Sequence, residues 1–547
     1  MSKVIADKIL LSDAMFDAVA DQPQPGGVAI KGNKIIAAGS KEEVLQYQGA
    51  ETKITDYGEH MLMPGFCDSH IHLLLGSMFA CEVDLSSAKS EEECAKMLYD
   101  FYKAEEDTYE DGEWVLGFSW YHLWWDNPQK PTRKTLDKYF PDRPVFLLNA
   151  DAHAAWVNSK ALEIAGADKN FPDVPYGTIN RFEDGEPTGF LEELAMDICL
   201  KYAYKLPYKK EWQLLKNALP IFNSRGVTSV NDMQYFFGTN MGRLDVYQDM
   251  AKSGELTMRI NFANGLLDDL DETRKLRQTF GDPEGLVYHN GVKEFIDGIV
   301  TTYTAVILEP YCDKPEAPLS FELMDLEKAA KNIKILQKEG MNVHLHATGD
   351  GAVRKAKEFY AAAIAENGQT NSRLSIEHLD MTKDEDLAEL GKLGVIASVQ
   401  PRHLALTDSL ETSDYLPVVG EERAKHLWAY HSMEEAGMPL AFGTDYPIVS
   451  VDPLLGLYRA VTRIYPDGKP EGGWNPEQRI SLSNALKAYT AGGAYMCGKE
   501  DVLGTLEAGK LADITVIEKN LFAVPAEEML DCKVLMTMVN GEEVYQD

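Results

Sequence analysis

Two histidines one residue apart, His70 and His72 in PGFCDSHIH, are the first residues in this chain whose spacing suggests chemistry. On a β-strand, residues two apart point to the same face, so the two imidazoles can converge on one ion. His346 in NVHLHATGD, His378 in SIEHLD and Asp445 in FGTDYP each fall late in an apolar run. Any one of these reads equally well as a core residue held by a backbone partner. Together, imidazoles and a carboxylate at strand ends read as a site for a first-row metal. Lys293 in GVKEFIDG is the odd member, because an ammonium inside an apolar strand is costly to desolvate unless paired or neutralised. Reaction with CO2 would convert it to a carbamate with two oxygens able to bridge two ions; pairing with Asp297 is the alternative.

Residues of this kind need a frame that brings distant segments together. Eight apolar runs supply one: GFCDSHIH, GVTSVNDM, MRINFANG, GVKEFIDG, NVHLHATGD, LSIEHLD, VIASVQPRH and PLAFGTDYP. They alternate with helical patterns, the signature of a parallel sheet covered by helices. Most end in a polar residue, as the strands of an α/β (β/α)8 TIM barrel do at the C-terminal face where its active site sits. The expected layout places the barrel at residues 65–499, with short β-like runs at 1–64 and 500–547 pairing into a composite β-sandwich domain. The first two barrel strands are too far apart for an ordinary βα connection, so an inserted cap subdomain is expected at about 76–215. Its aromatic stretch GFSWYHLWWDNP suggests an apolar wall for a substrate pocket.

With 53 basic and 87 acidic residues the chain carries a formal charge of -34, which would repel a nucleic-acid backbone. The seven cysteines are scattered and contain no CxxC pair, so they read as thiols in a reducing compartment. Neither a secretory leader nor an apolar run long enough to span a bilayer is evident, and a cytoplasmic enzyme is the expectation. On base rates a homodimer is the expected assembly.

Taken together, PGFCDSHIH, VKEFIDG, HATGD, IEHLD, GTDYP and the closing GTLEAGKLADITVI resemble the amidohydrolase superfamily. The branch most similar to this chain is that of the N-substituted formamide deformylases. The resemblance covers nearly the whole chain. It implies that His70 and His72 bind one divalent ion and His346 and His378 the other, with carboxylated Lys293 bridging them. Asp445 would bind metal and shuttle protons. Zinc is the expected ion, one or two per chain, with iron, manganese or nickel as alternatives.

The resulting expectation is metal-dependent hydrolysis of a non-peptide carbon-nitrogen bond, in a linear amide such as an N-formyl or N-acyl amine. Metal-activated hydroxide would attack, with Asp445 as proton shuttle. The alternatives are a mononuclear deaminase acting on an amidine-like carbon and a catalytically silent ligand-binding barrel. Candidate substrate contacts are His153 and Asn158 in DAHAAWVN, His403 in QPRH, and Trp120 and His122 in the aromatic stretch. Glu193 is a weaker candidate carboxylate. His344 reads as packed behind His346, and His60, His289, His426 and His431 read as surface or structural residues.

Overall fold

The computed structural model describes residues 4–150, 154–174, 177–236, 239–320, 323–405, 409–410 and 413–547. It divides into two compact units, one of Met1–His72, Leu219–Gln234 and Ala251–Asp547, the other of Leu73–Ala218 and Tyr235–Met250.

The first unit is built on eight parallel strands. In chain order these are β1 (Phe66–Ile71), β2 (Val227–Met233), β3 (Arg259–Gly265), β4 (Val287–Phe295), β5 (Asn342–Ala347), β6 (Leu374–His378), β7 (Ile396–Val399) and β8 (Leu440–Phe442). Neighbours in the sheet follow sequence order, and a bridge between Ile71 and Tyr446 brings the last strand round to the first. All eight runs identified in the sequence are strands. Their helices follow local rules: Leu326–Lys338 starts where the Asp325 carboxylate accepts from Lys328 N, and it buries Ala329, Ile333 and Leu336 on one stripe.

One irregularity sets the direction of side chains. The register between β3 and β4 slips, Phe262 facing His289 and Ala263 facing Gly291, so β4 carries an extra residue at Asn290. The slip shifts the alternation by one, and Asn290 and Lys293 both turn into the barrel although they lie three apart. A side chain at Gly291 would meet Asn342 O at 2.3 Å, so only glycine fits beside β5.

A second sheet in this unit joins segments from both ends of the sequence. Met61–Pro64 pairs antiparallel with Ile514–Ile517, and the sheet continues through Val534–Val539 and Glu542–Gln546 on one side and Lys8–Met15, Gln24–Lys31 and Lys34–Gly39 on the other. Lys53–Asp56 also pairs with Lys8–Met15. A buried ion pair ties it to the barrel: Arg259 on β3 donates to Asp513 Oδ2 at 2.6 Å and Oδ1 at 3.0 Å, and also to Asn540 Oδ1 and Glu284 O.

The second unit carries a six-stranded sheet, ordered Gly177–Arg181, Pro187–Glu193, Ala154–Val157, Val145–Asn149, Val115–Trp120 and Val83–Asp84. Apolar clusters pack around it, one including Leu116, Phe146 and Leu191 and another centred on Trp120, Trp125 and Trp156. Among the described residues, no helix is long and apolar enough to cross a membrane.

Candidate metal centre

The barrel delivers its polar strand-end residues to one place. On β1, His70 is fully buried and its Nε2 lies 3.5 Å from Asp445 Oδ1. The residue two along, His72, places its Nε2 at the same distance, 3.5 Å, from the same oxygen. From β6, His378 Nδ1 lies 4.0 Å from Asp445 Oδ2, and its ring centroid is 4.8 Å from that of His70. His346, from β5, sets its ring 4.4 Å from His378. His70, His378 and Asp445 each offer a ligand atom within 4.8 Å of the others.

Each imidazole is held by its far nitrogen or a neighbouring carbonyl. His70 Nδ1 meets Glu377 Oε2 at 2.7 Å, His72 Nδ1 donates to Met233 O at 2.9 Å, and His378 Nδ1 meets Gln400 Oε1 at 2.8 Å. For His70 and His72 these contacts leave Nε2 directed at Asp445, the arrangement that metal-binding histidines require, whereas His378 turns the same Nδ1 toward both Gln400 Oε1 and Asp445 Oδ2. His346 is turned differently, with Nε2 donating to Gly298 O at 3.1 Å and a buried Nδ1 without a hydrogen-bond partner.

Two left-handed residues complete the set. Adjacent strand residues point to opposite faces, yet Glu377 bonds His70 Nδ1 while His378 joins the cluster itself, because His378 has φ 78° and turns its ring back inward. Asp445 has φ 60°, and its N–H donates to His70 O at 2.7 Å. The loop before it is fixed by Asp68, whose carboxylate accepts from Thr444 N at 2.8 Å and Thr444 Oγ1 at 2.6 Å. At Gly443 a Cβ would meet His70 N at 2.6 Å, so GTD requires its glycine to let the strands approach. Non-glycine residues at positive φ cost energy that the surrounding structure must offset, and such residues concentrate at functional sites.

Electrostatics sharpen the picture. Burial pushes the pKa values of His70, His72, His346 and His378 well below the ordinary histidine value, with the Lys293 cation adding to the effect. The rings are therefore neutral, the form that binds metal. Burial moves Asp445 the other way, well above the usual carboxylate range, although Lys293 opposes that shift. The Lys293 ammonium is fully buried, has no hydrogen-bond partner and lies 3.7 Å from the Phe295 ring centroid. Desolvation lowers its pKa to about 8 against the pull of Glu377 and Asp445. Asp297, the alternative partner for Lys293, spends its carboxylate on the N–H groups of Val306, Thr348 and Gly349.

The remaining candidates separate. His403 joins the cluster: its Nε2 is 3.6 Å from Asp445 Oδ2, and its ring stacks on His378 at 5.9 Å. Trp120 is instead core of the second unit, fully buried against Trp125, Trp156 and Phe190 with its indole N–H donated to Leu147 O, so it has no face left for a ligand. Asn158 is a helix cap rather than a substrate contact. Its Oδ1 accepts from Ala161 N and Val145 N, and its Nδ2 donates to Phe140 O and Arg143 O, which uses its full bonding capacity. His122 is half-buried and packs edge-on to Phe190 in the same unit. Glu193 ends a strand of that unit at φ 51°. His153 lies outside the described residues. His344 is packed in the barrel with both ring nitrogens bonded, to Ser375 Oγ and Asn290 Nδ2. Glu377, Gln400 and Asp68 were not anticipated. Glu377 stands beside the candidate ligand His378 in IEHLD, but simple strand alternation points it away from the site.

Comparison with known proteins agrees with this architecture. A model described as the amidohydrolase family matches residues 53–545. The protein LONG AFTER FAR-RED 3 of Arabidopsis thaliana is 31% identical over 99% of this chain and 92% of its own length. An N-substituted formamide deformylase of Arthrobacter pascens is 23% identical, covering 95% of this chain and 94% of its own. Among solved structures, an uncharacterised metal-dependent hydrolase from Pyrococcus horikoshii OT3 superposes with a TM-score of 0.77 at 26% identity, over 95% of this chain and 99% of that one. The family match takes in the barrel, every member of the polar cluster and the strands of the second sheet from Lys53 onward: the chain is a hydrolase of the amidohydrolase family.

Proposed function

We propose that this hydrolase is metal-dependent and cleaves a carbon-nitrogen bond other than a peptide bond, in a linear amide such as an N-formyl or N-acyl amine. The observation that carries the reading is that buried atoms without hydrogen-bond partners recur on the residues of this site, at His70 Nε2, Lys293 Nζ, His346 Nδ1, His403 Nε2 and Asp445 Oδ1, with His70 Nε2 3.5 Å from Asp445 Oδ1 and His403 Nε2 3.6 Å from Asp445 Oδ2. A folded interior rarely leaves so many polar atoms unsatisfied in one place, and a cation bound among them would satisfy the imidazole nitrogens and the carboxylate. The donor set of neutral imidazoles and a carboxylate suits zinc, and also iron, manganese or nickel. His70, His72, His346, His378 and Asp445 would hold the metal, joined by Lys293 as its carbamate. That modification forms a bond from the neutral Nζ to the carbon of CO2 with loss of one proton, and it converts an unpartnered cation into an anion with two oxygens.

A divalent ion held there supplies Lewis acidity toward a substrate carbonyl and acidifies a water molecule. The chain's own residues handle the protons. Asp445 Oδ1 takes a proton from the attacking water and delivers it to the departing nitrogen, which must leave as a neutral amine. His403, stacked on His378 beside Asp445 Oδ2, is placed to donate to the oxygen that becomes negative. The formamide deformylase relative supports the choice of amide. A mononuclear deaminase is the second reading, favoured by the tight His70–His378–Asp445 triplet, which alone would hold one ion.

The test is elemental analysis of protein prepared without chelator in bicarbonate, followed by turnover assays on N-formyl amines, N-acyl amines and amidines. Two ions per chain with amide turnover is the expected result. One ion with ammonia released from amidines would replace it with the deaminase reading.

A further inference from the structure

Behind His70 runs a chain of buried hydrogen bonds whose direction can be read from its far end. Asn290, turned inward by the β4 bulge, donates from Nδ2 to Asn231 Oδ1 at 2.6 Å and to His344 Nε2 at 3.1 Å. Its Oδ1 accepts from Asn342 Nδ2 at 2.8 Å, which fixes which end of the amide faces His344. An amide NH2 only donates, so His344 Nε2 accepts and the ring proton sits on Nδ1. That proton is donated to Ser375 Oγ at 2.8 Å, and the Ser375 hydroxyl in turn donates to Glu377 Oε1. The other oxygen, Glu377 Oε2, accepts from His70 Nδ1 at 2.7 Å. Asn290, His344, Ser375, Glu377 and His70 are all buried. The bonds of Asn290, His344 and Ser375 each have one allowed direction, and an ionised Glu377, which only accepts, then leaves the His70 Nε2 lone pair facing Asp445.

We propose that Glu377 is the positioning residue for His70, holding it as the Nδ1–H tautomer with Nε2 aimed into the metal centre, and that Ser375 and His344 hold Glu377 in place. Glu377 touches neither the centre nor a substrate; it acts through His70. The inference rests on the metal-dependent reading above. It gives the glutamate of IEHLD a role that strand alternation conceals, and it explains the left-handed turn at His378. With the backbone turned at that residue, β6 supplies a metal ligand and the carboxylate that orients another ligand from consecutive positions. Partners of this kind typically change metal affinity by about 10–100-fold.

The experiment compares wild type with Glu377→Gln and Ser375→Ala, measuring Zn2+ affinity by competition with a chromophoric chelator and the visible absorption of the Co2+-loaded protein. The melting temperature of the metal-free form is measured alongside. Glu377→Gln offers its carboxamide where a carboxylate accepted the His70 proton. It should weaken Zn2+ binding by about 10–100-fold and alter the Co2+ bands, with little change in metal-free melting. Ser375→Ala should produce a smaller change in the same direction, and it carries the test alone if Glu377→Gln does not fold. Wild-type affinity and spectrum in the folded variants would overturn the inference and leave the proposed function standing. A wild-type protein that binds neither ion would overturn both.

Discussion

The proposed function asks two things of Asp445, to hold a metal and to carry a proton, and replacing it by asparagine keeps the shape while removing the second. Asp445→Asn should lower kcat by about 10^2–10^4-fold with the N-formyl amine substrate, as measured by steady-state kinetics. Turnover within a few-fold of wild type would rule out Asp445 as the proton carrier. Lys293 gives a different kind of prediction. Its ammonium is buried without a hydrogen-bond partner in the metal-free chain, so Lys293→Met removes an uncompensated charge. The metal-free variant should melt at or above the wild-type temperature while its ion content falls, a pairing that calorimetry and elemental analysis would detect together. That His70, His72, His378 and Asp445 come together was legible because they stood at the ends of recognisable strands. The partners of those histidines were not, because Glu377 and Gln400 are defined by contacts across the barrel with His70 and His378. Trp120 and Asn158 show the reverse: residue types suited to binding a ligand are consumed by the packing and helix capping of their own unit.

At the scale of elements, the Arg259–Asp513 pair joins barrel strand β3 to the second sheet with both side chains buried. Asp513→Asn would leave a buried guanidinium without its counter-charge, and a loss of about 3–5 kcal/mol is expected from the shift in urea unfolding midpoint. His289, also buried, gives β4 an acid sensitivity. Its Nε2 bonds Asn264 Oδ1 at 2.9 Å, and burial lowers its pKa to about 3 from an ordinary 6.5. The folded state thus resists protonation that the unfolded chain accepts. The neutral ring's contribution is intact above about pH 6.5 and is lost progressively as pH falls toward 3. His289→Gln should flatten the decline in metal-free stability across that window, measured by urea titrations at stepped pH; an unchanged slope would assign the acid sensitivity elsewhere. The eight strands could be read from their apolar runs, but the bulge at Asn290 could not, because a one-residue slip leaves no mark in composition.

For the whole molecule, buried polar atoms without hydrogen-bond partners lie on residues that only the folded barrel brings together. Ions binding there should favour the folded state by mass action. Removing them with a chelator should lower the melting temperature, and adding Zn2+ with bicarbonate should restore it. A melting temperature indifferent to both would argue against a metal centre. The long stretch between the first two barrel strands marked an insertion, whereas Tyr235–Met250, which follows β2 and returns to the second unit, has no compositional boundary to announce it.

The pairing of Met61–Pro64 with Ile514–Ile517 also bears on how the protein is made. A ribosome releases the first of these strands about 450 residues before the second, which at about 5–20 residues per second is an interval of roughly 20–90 s. Throughout that time Met61–Pro64 lacks the neighbour it pairs with in the finished protein. Nascent chains should therefore be open to chaperone capture at this edge until Ile514–Ile517 emerges.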